Sequence, residues 1–190
     1  MVWQQCLKSL ARGETVTSVN FRSKTSGWRN YRLAVTTADG NTRSYGINDT
    51  AYTRAFSKNI TLRPSCYKCP MRGLHRASDI TLADFWGCEQ TGSTDDRGTS
   101  LALAHSDKGV GLLNAVGAQP LNIDLAQLAT LNPSFLHQTP VTALRSVFFS
   151  RMARHPEMTA DILDELTQLP PWRRRYYKLL TFMNKTIGKI

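Results

Sequence analysis

The stretch that decides the fold is WRNYRLAVTTADGNTRSY, residues 28–45. WRNYRLAVTT predicts a strand, because it is rich in β-branched and aromatic residues and is followed directly by a turn signal. Asp39-Gly40 is a strong signal for a hairpin with a two-residue turn, and Thr42–Tyr45 predicts the returning strand. The stretch therefore predicts an antiparallel pair of short strands.

Segments on both sides extend this hairpin into an α+β domain. TVTSVNFR (residues 15–22) alternates polar and apolar positions, which predicts a first strand of the same meander. Residues 2–11 predict a short helix that breaks at Gly13. The other predicted elements are a short helix over Thr50–Ser57, strands in 79–87 and 99–105, a helix capped by Ser106, and helices beyond Pro133. We therefore expect a small mixed or antiparallel sheet and a helical C-terminal third.

The composition excludes several classes of protein. With 190 residues, 41% of them hydrophobic, the chain is long and apolar enough to bury a core, which argues against intrinsic disorder. No run of about 18 apolar residues is present, so a membrane-spanning helix is not expected. The N-terminal residues lack the pattern of a secretory signal, and we therefore expect a cytoplasmic protein.

Positive charge is concentrated at the C-terminus. The formal net charge is +10, and residues 170–190 contain six Lys or Arg and no acid. Aromatic and aliphatic residues are interleaved with these cations, so a helix here would have an apolar face and a basic face. The ordinary interpretation is a terminal helix that packs on the domain and leaves its basic face in solvent. The alternatives are peripheral contact with a membrane or contact with a partner protein. Nucleic acid is not expected as a partner, because residues 1–169 are only mildly basic.

The cysteines are the residues of the chain that most strongly indicate metal or redox chemistry. Cys66 and Cys69 form a Cys-x-x-Cys motif in residues 61–78, a loop that contains two prolines and no sustained periodicity. Two thiolates at this spacing can bind one metal centre, and Cys66, Cys69, His75 and Cys88 have the spacing of a three-cysteine, one-histidine zinc site. Such a site would make the protein a non-catalytic, zinc-stabilised binding module. Unpaired cysteines are also common as buried core residues.

Several sequence blocks, in the same order and spacing, resemble the C-terminal domain of the coenzyme F-420 hydrogenase/dehydrogenase beta-subunit family. This family also includes relatives of 7-hydroxymethyl chlorophyll a reductase. The resemblance covers roughly residues 3–150. The blocks are Asn20-Phe-Arg22-Ser-Lys24, Gly27-Trp28-Arg-Asn-Tyr31, Leu62-Arg-Pro-Ser-Cys66-Tyr-Lys-Cys69-Pro, Arg76-Ala-Ser78-Asp79-Ile-Thr, Asp84-Phe-Trp86-Gly87, Asp95-Asp-Arg-Gly-Thr-Ser100 and Arg145-Ser-Val-Phe-Phe149.

The resemblance implies an iron-sulfur flavoprotein. Members of the family carry FAD and 4Fe-4S clusters and pass electrons or a hydride to a deazaflavin or a similar acceptor. For this chain it implies an oxidoreductase module, with residues 1–150 as the redox domain and residues 151–190 as a helical extension. Protein groups then supply orientation and electrostatics, while the cofactors carry the chemistry.

The same resemblance implies which residues bind the cofactors. Cys66 and Cys69 would be cluster ligands, with Cys88 a weaker third. The flavin-site candidates are Ser78, Asp79, Asp84, Trp86 and Gly87 near one strand end, together with Arg22, Lys24 and Trp28. Both groups also have a structural alternative. The first could be the end of a core strand on which Trp86 packs, and the second could be a solvated face of a hairpin with one buried Trp.

One departure from the family bears on activity. Full-length relatives begin with a ferredoxin-like, cysteine-rich segment, which this sequence does not contain. We therefore expect a split or truncated protein that depends on a ferredoxin-like or N-terminal-half partner for the remaining cluster ligands.

Overall fold

The structure is a computed structural model that describes residues 1–74, 76–92, 96–121, 123–135 and 137–187. His75, the histidine of the zinc hypothesis, and Asp95, the first residue of one family-like block, lie outside the described residues.

The described residues form an α+β fold, as the sequence predicts. Both sheets are antiparallel, and the chain after Pro133 is helical apart from its connections. Three short 3-10 helices lie at Cys88–Thr91, Pro133–Phe135 and Pro156–Met158. The main elements are α1 (Val2–Ala11), β1 (Val16–Ser23), β2 (Arg32–Thr37), β3 (Thr42–Tyr45), α2 (Ala51–Ser57), α3 (Pro64–Tyr67), β4 (Ile80–Asp84), β5 (Ser100–Ala104), α4 (Asp107–Ala115), α5 (Leu125–Leu131), α6 (Ala143–Arg154), α7 (Thr159–Thr167) and α8 (Pro171–Ile187).

The predicted hairpin forms between β2 and β3, but its turn is one residue longer than predicted. The Thr37 N–H donates to the Asn41 carbonyl at 3.0 Å, so three residues connect the paired positions. Gly40 adopts a φ of 85°, which places it in the left-handed region typical of a G1 bulge after a type I turn. The Asp39 carboxylate accepts from the Thr37 hydroxyl at 2.7 Å and the Asn41 N–H at 3.1 Å. These bonds explain why the longer turn is preferred.

The strands differ from the prediction in two further ways. The sequence predicts one small sheet, whereas the described strands form a three-stranded sheet, ordered β1-β2-β3, and a separate hairpin of β4 and β5. The predicted second strand starts at Trp28, but β2 starts at Arg32. Gly27, with a φ of 87°, turns the chain before that strand, and Trp28 packs elsewhere.

The chain divides into two compact units. The first unit contains Met1–Ser26, Asn30–Pro64 and Pro140–Ile190, and the second contains Gly27–Arg29 and Ser65–Thr139. The sequence predicts a redox domain over residues 1–150 and a helical extension over residues 151–190. That boundary does not coincide with the division into compact units, and it stays a prediction.

The first unit has a helical core beside the three-stranded sheet. Phe148 of α6 and Leu163 of α7 are completely buried, and full burial of such a side chain stabilises the fold by about 1.5–3 kcal/mol. Apolar residues recur along α7 at the spacing of one helix face, which faces this core. The buried residues of the core cluster are Cys6, Ala55, Ile60, Phe148, Met152, Ile162, Leu163 and Leu166.

The second unit has a smaller core under the β4–β5 hairpin. Ser106 caps α4 as predicted, because its hydroxyl accepts from the Gly109 N–H at 3.1 Å. The buried cluster consists of Phe85, Cys88, Leu101, Leu128 and Phe135. Within the described part of the chain, no helix has the length and apolarity to cross a membrane.

Candidate functional site

The centre of the candidate site is a pair of tryptophans in the second unit. The ring centroids of Trp28 and Trp86 lie 4.9 Å apart, and their planes are tilted by 31°. Trp28 is buried, with 4% of its surface exposed, whereas Trp86 is 44% exposed. Aromatic pairs prefer such offset or tilted arrangements. The pair therefore presents one indole to solvent and holds it with a second, buried indole.

The backbone of Gly98 lies directly against the buried ring. A Cβ atom at Gly98 would lie 2.4 Å from Cδ1 of Trp28, closer than any carbon contact allows. The backbone N–H of Trp28 donates to the Asp96 carbonyl at 2.7 Å. At Gly27 a Cβ atom would overlap the Asp96 carboxylate. Glycine thus allows the backbone at residue 98 to approach the Trp28 indole and the backbone at residue 27 to approach the Asp96 side chain.

The segment that carries Trp86 is also held in place. The Phe85 N–H donates to the Thr99 carbonyl at 3.0 Å, which continues the β4–β5 ladder by one bond. Gly87 follows with a φ of 88° and begins the 3-10 helix Cys88–Thr91. The sequence predicts Gly87 as a cofactor contact; its positive φ and the close approach of Leu131 are what the structure shows at this position.

Asp79 holds the start of α4. Its carboxylate accepts from the Ser106 hydroxyl at 2.6 Å and lies 3.3 Å from the Lys108 ammonium. The hydrogen bond from Ser106, followed by that from Lys108, lowers the pKa of the Asp79 carboxyl. The backbone of Gly109 lies against the Asp79 carbonyl. These contacts link the loop before β4 to the N-terminus of α4.

The two other candidates near this strand differ in exposure. Ser78 is exposed in the loop before β4. Asp84, the last residue of β4, is half-buried and is paired with Ser100 of β5. A role for either residue in cofactor binding stays a prediction.

The cysteine loop begins with a single helical turn. Cys66 lies in α3, Cys69 follows two residues after that helix, and both thiols are half-buried. Tyr67 between them is buried. The C-terminal side of the loop is anchored by the Gly73 N–H, which donates to the Phe135 carbonyl at 2.8 Å. The thiols therefore lie near the surface on a loop that the second unit holds at its far end.

Cys88 differs from this pair in its environment. It is 2% exposed and belongs to the apolar cluster of the second unit. Among the described residues, which do not include His75, no group of three or more His, Cys, Asp or Glu side chains is arranged to hold a metal ion. A 4Fe-4S cluster or a tetrahedral zinc needs four ligands. The described residues of this chain alone therefore do not complete either site.

Arg22 and Lys24 belong to the first unit. The Arg22 guanidinium lies over the ring of Tyr31, 4.7 Å from its centroid, at a distance typical of a cation–π contact. Lys24 is exposed directly after β1. Their proposed role in binding a phosphate stays a prediction.

Sequence reasoning missed the residues that position the tryptophan pair. The sequence indicates Asp96 and Gly98 only as parts of a turn, and it does not predict the ion pair of Arg29 with Glu89, at 3.1 Å. The available signal was a glycine in each of the two turns, Gly27 directly before Trp28 and Gly98 between Arg97 and Thr99. Nothing in one sequence shows that these two turns meet.

The comparison with protein families identifies the family of the chain. One family model, which describes the C terminus of the beta subunit of coenzyme F420 hydrogenase/dehydrogenase, matches residues 2–126. The chain belongs to this family. The resemblance inferred from the sequence blocks is thereby confirmed. The block at Arg145–Phe149 lies beyond the matched residues.

Membership assigns the chain to a family of redox-enzyme subunits, and in such a family a partner subunit is plausible. The matched range includes the tryptophan pair, the cysteine loop and the β4–β5 hairpin. Searches of curated proteins and of solved structures give no match.

Proposed function

We propose that the chain is a redox module in which Trp86 forms a stacking surface for the isoalloxazine ring of FAD. The observation that carries this proposal is the Trp28–Trp86 pair, in which a buried indole supports an exposed one. A large aromatic side chain that is kept partly in solvent forgoes the stabilisation that its burial would give. A partly exposed indole that is held by a buried one can offer its face to a planar aromatic ligand.

The rigidity of the pair suits a planar ligand. Trp28 cannot rotate away without displacing the backbone at Gly98, which lies directly against its ring. The exposed indole therefore keeps its orientation before a ligand arrives, which lowers the entropy cost of binding. FAD bound there would supply electron and hydride chemistry, and we propose a deazaflavin or a related ring as the acceptor.

Cys66 and Cys69 form the second part of the proposal. Both thiols are half-buried on one short loop, so they are close enough to solvent to meet a ligand or a partner. We propose that they supply two thiolates to a 4Fe-4S cluster, whose other ligands come from a ferredoxin-like partner protein. Cys88, in the apolar cluster, is not part of this proposal.

A titration with FAD tests the flavin surface directly. Wild-type protein is titrated with FAD, and quenching of tryptophan fluorescence reports binding. We expect Trp86→Leu to weaken binding about five- to tenfold, the loss expected for one aromatic stacking contact. Trp172→Leu is the matched control, since Trp172 is also exposed, at 70%, but lies on α8. Equal affinity of wild type and Trp86→Leu would contradict the proposal.

Metal analysis tests the cysteine loop and the alternative function. Protein is prepared anaerobically, alone and together with a candidate ferredoxin-like partner. We expect iron and absorbance near 400 nm only in the complex, and their loss in Cys66→Ser. One zinc per chain in the isolated protein, without flavin or iron, would support the zinc-stabilised binding module instead.

A further inference from the structure

Helix α8 carries an exposed apolar stripe. Trp172, Tyr176, Leu179 and Met183 follow one another at spacings of four, three and four residues, which places them on one face of the helix. Their exposed fractions are 70%, 56%, 58% and 45%. We call these four residues the outer stripe.

The opposite face of α8 attaches the helix to the first unit. The Thr181 hydroxyl accepts from the Ala143 N–H at the start of α6, at 3.0 Å. Thr181 follows Trp172 by nine residues, a rotation of about 180° around the helix axis. The half-buried Tyr177 lies one turn before Thr181 on the attached side. The half-buried residues Tyr177, Leu180 and Thr181 therefore form the attached side of the helix, and the outer stripe points away from it.

The ordinary interpretation, a terminal helix packed on the domain, does not account for the exposure of the outer stripe. A terminal helix that simply completes a core buries its apolar face and leaves the polar face in solvent. Here Leu179 is exposed and Thr181 is engaged with α6. The outer stripe is thus left for something outside the described part of the chain.

The charges of α8 indicate what covers the stripe. Arg173, Arg175 and Lys178 are exposed on its flanks, and residues 170–190 contain no Asp or Glu. Within the described residues neither Arg175 nor Lys178 has an acidic partner. A second copy of this helix would bring cations against cations, which disfavours self-association through the stripe. A surface that is both anionic and apolar beneath its charges would pair with the cations and cover the apolar side chains.

We propose that α8 is an interfacial helix that docks the protein on an anionic lipid surface through the outer stripe. Trp and Tyr prefer the boundary between headgroups and acyl chains, and Leu179 and Met183 add apolar area to the buried face. Arg173, Arg175 and Lys178 lie beside the stripe, where they meet lipid phosphates. The helix lies in the plane of the surface and does not cross it. This inference does not depend on the flavin or the cluster.

Co-sedimentation with lipid vesicles tests the proposal on the full 190-residue chain. The probes are vesicles of phosphatidylcholine alone and vesicles that contain about one third phosphatidylglycerol. We expect binding to the anionic vesicles only, and weaker binding as the salt concentration rises. Arg175→Gln with Lys178→Gln should weaken binding about 30-fold, since each basic residue near such a surface contributes about fivefold. Leu179→Ser should weaken it as well.

Two matched controls separate docking from general charge and hydrophobicity. Lys8→Gln with Arg63→Gln removes the same charge from exposed positions outside α8, and Phe56→Ser removes an apolar side chain that is 54% exposed on α2. Both should bind the vesicles as wild type does. The absence of binding to anionic vesicles at low salt would overturn the proposal, as would equal losses in the controls. Capture of an acidic protein by the stripe without vesicle binding would overturn it in favour of a protein partner.

Discussion

The Trp28 and Trp86 rings lie 4.9 Å apart, and only the second has substantial contact with solvent. A segment of three residues, Gly27–Arg29, thereby belongs to the second unit although its neighbours on both sides belong to the first. The indole of Trp28 accounts for this, because its burial stabilises the segment in that position.

Gly98→Ala should destabilise the second unit. The new Cβ would overlap the Trp28 ring, and the φ of 92° at this position disfavours any side chain. We expect a loss of about 2–4 kcal/mol in the free energy of unfolding, from the clash and the backbone strain together. Urea unfolding followed by tryptophan fluorescence measures it. Gly117→Ala, at a φ of 69° with open space around it, should cost only about 1 kcal/mol, the strain of a left-handed backbone at a residue with a Cβ. Similar losses in both variants would show that the ring contact is unimportant.

Leu163→Ala should show the contribution of the first core. Leu163 is completely buried between the helices of the first unit, so its truncation leaves a cavity. We expect a loss of about 2–5 kcal/mol in chemical denaturation. Leu179→Ala makes the same chemical change on the exposed face of α8 and should alter stability by less than about 0.5 kcal/mol. A large effect of Leu179→Ala would mean that α8 buries its apolar face after all.

The Asp79 contacts make the stability of the second unit sensitive to acid. The hydrogen bonds from Ser106 and Lys108 lower the pKa of the Asp79 carboxyl in the folded state. Its stabilising contribution is therefore present above the unfolded-state pKa of about 3.9 and is lost as the pH falls through the lower folded-state value. The midpoint of thermal unfolding, measured from pH 6 to pH 2.5, should fall less steeply for Asp79→Asn than for wild type.

The partner of Asp79 provides the control for that experiment. Ser106→Ala removes the hydroxyl that donates to Asp79 and caps α4. If the two groups act together, the effects of Asp79→Asn and Ser106→Ala should be less than additive in the double variant. Full additivity would indicate that the two side chains contribute independently.

The four cysteines should differ in reactivity. Burial raises the pKa of the Cys6 thiol to about 11, so on the order of one molecule in a thousand carries the thiolate at pH 8. Cys88 is protected by its burial in the second core. Iodoacetamide labelling of native protein at pH 8, followed by mass spectrometry, should modify Cys66 and Cys69 first. Rapid labelling of Cys6 in the native state would contradict the packing of α1.

Local signals in the sequence predicted most of the helices and strands, although β2 begins at Arg32 and not at Trp28. Ser106 and Thr50 accept hydrogen bonds from the first turns of α4 and α2, because a cap acts within a few residues of itself. The hairpin at Asp39-Gly40 was predictable for the same reason, although its length depended on side-chain bonds that the dipeptide does not encode. The blocks that identify the family are equally local.

The sequence by itself thus determined the α+β class, the positions of most strands and helices, the family, and the concentration of positive charge in residues 170–190. Tertiary structure alone decided that Trp28 joins Trp86, that Cys88 lies in a core, and that α8 turns its apolar stripe outward. The physical reason is that hydrogen bonds within turns and helices connect residues near in sequence, whereas burial depends on which distant surfaces meet.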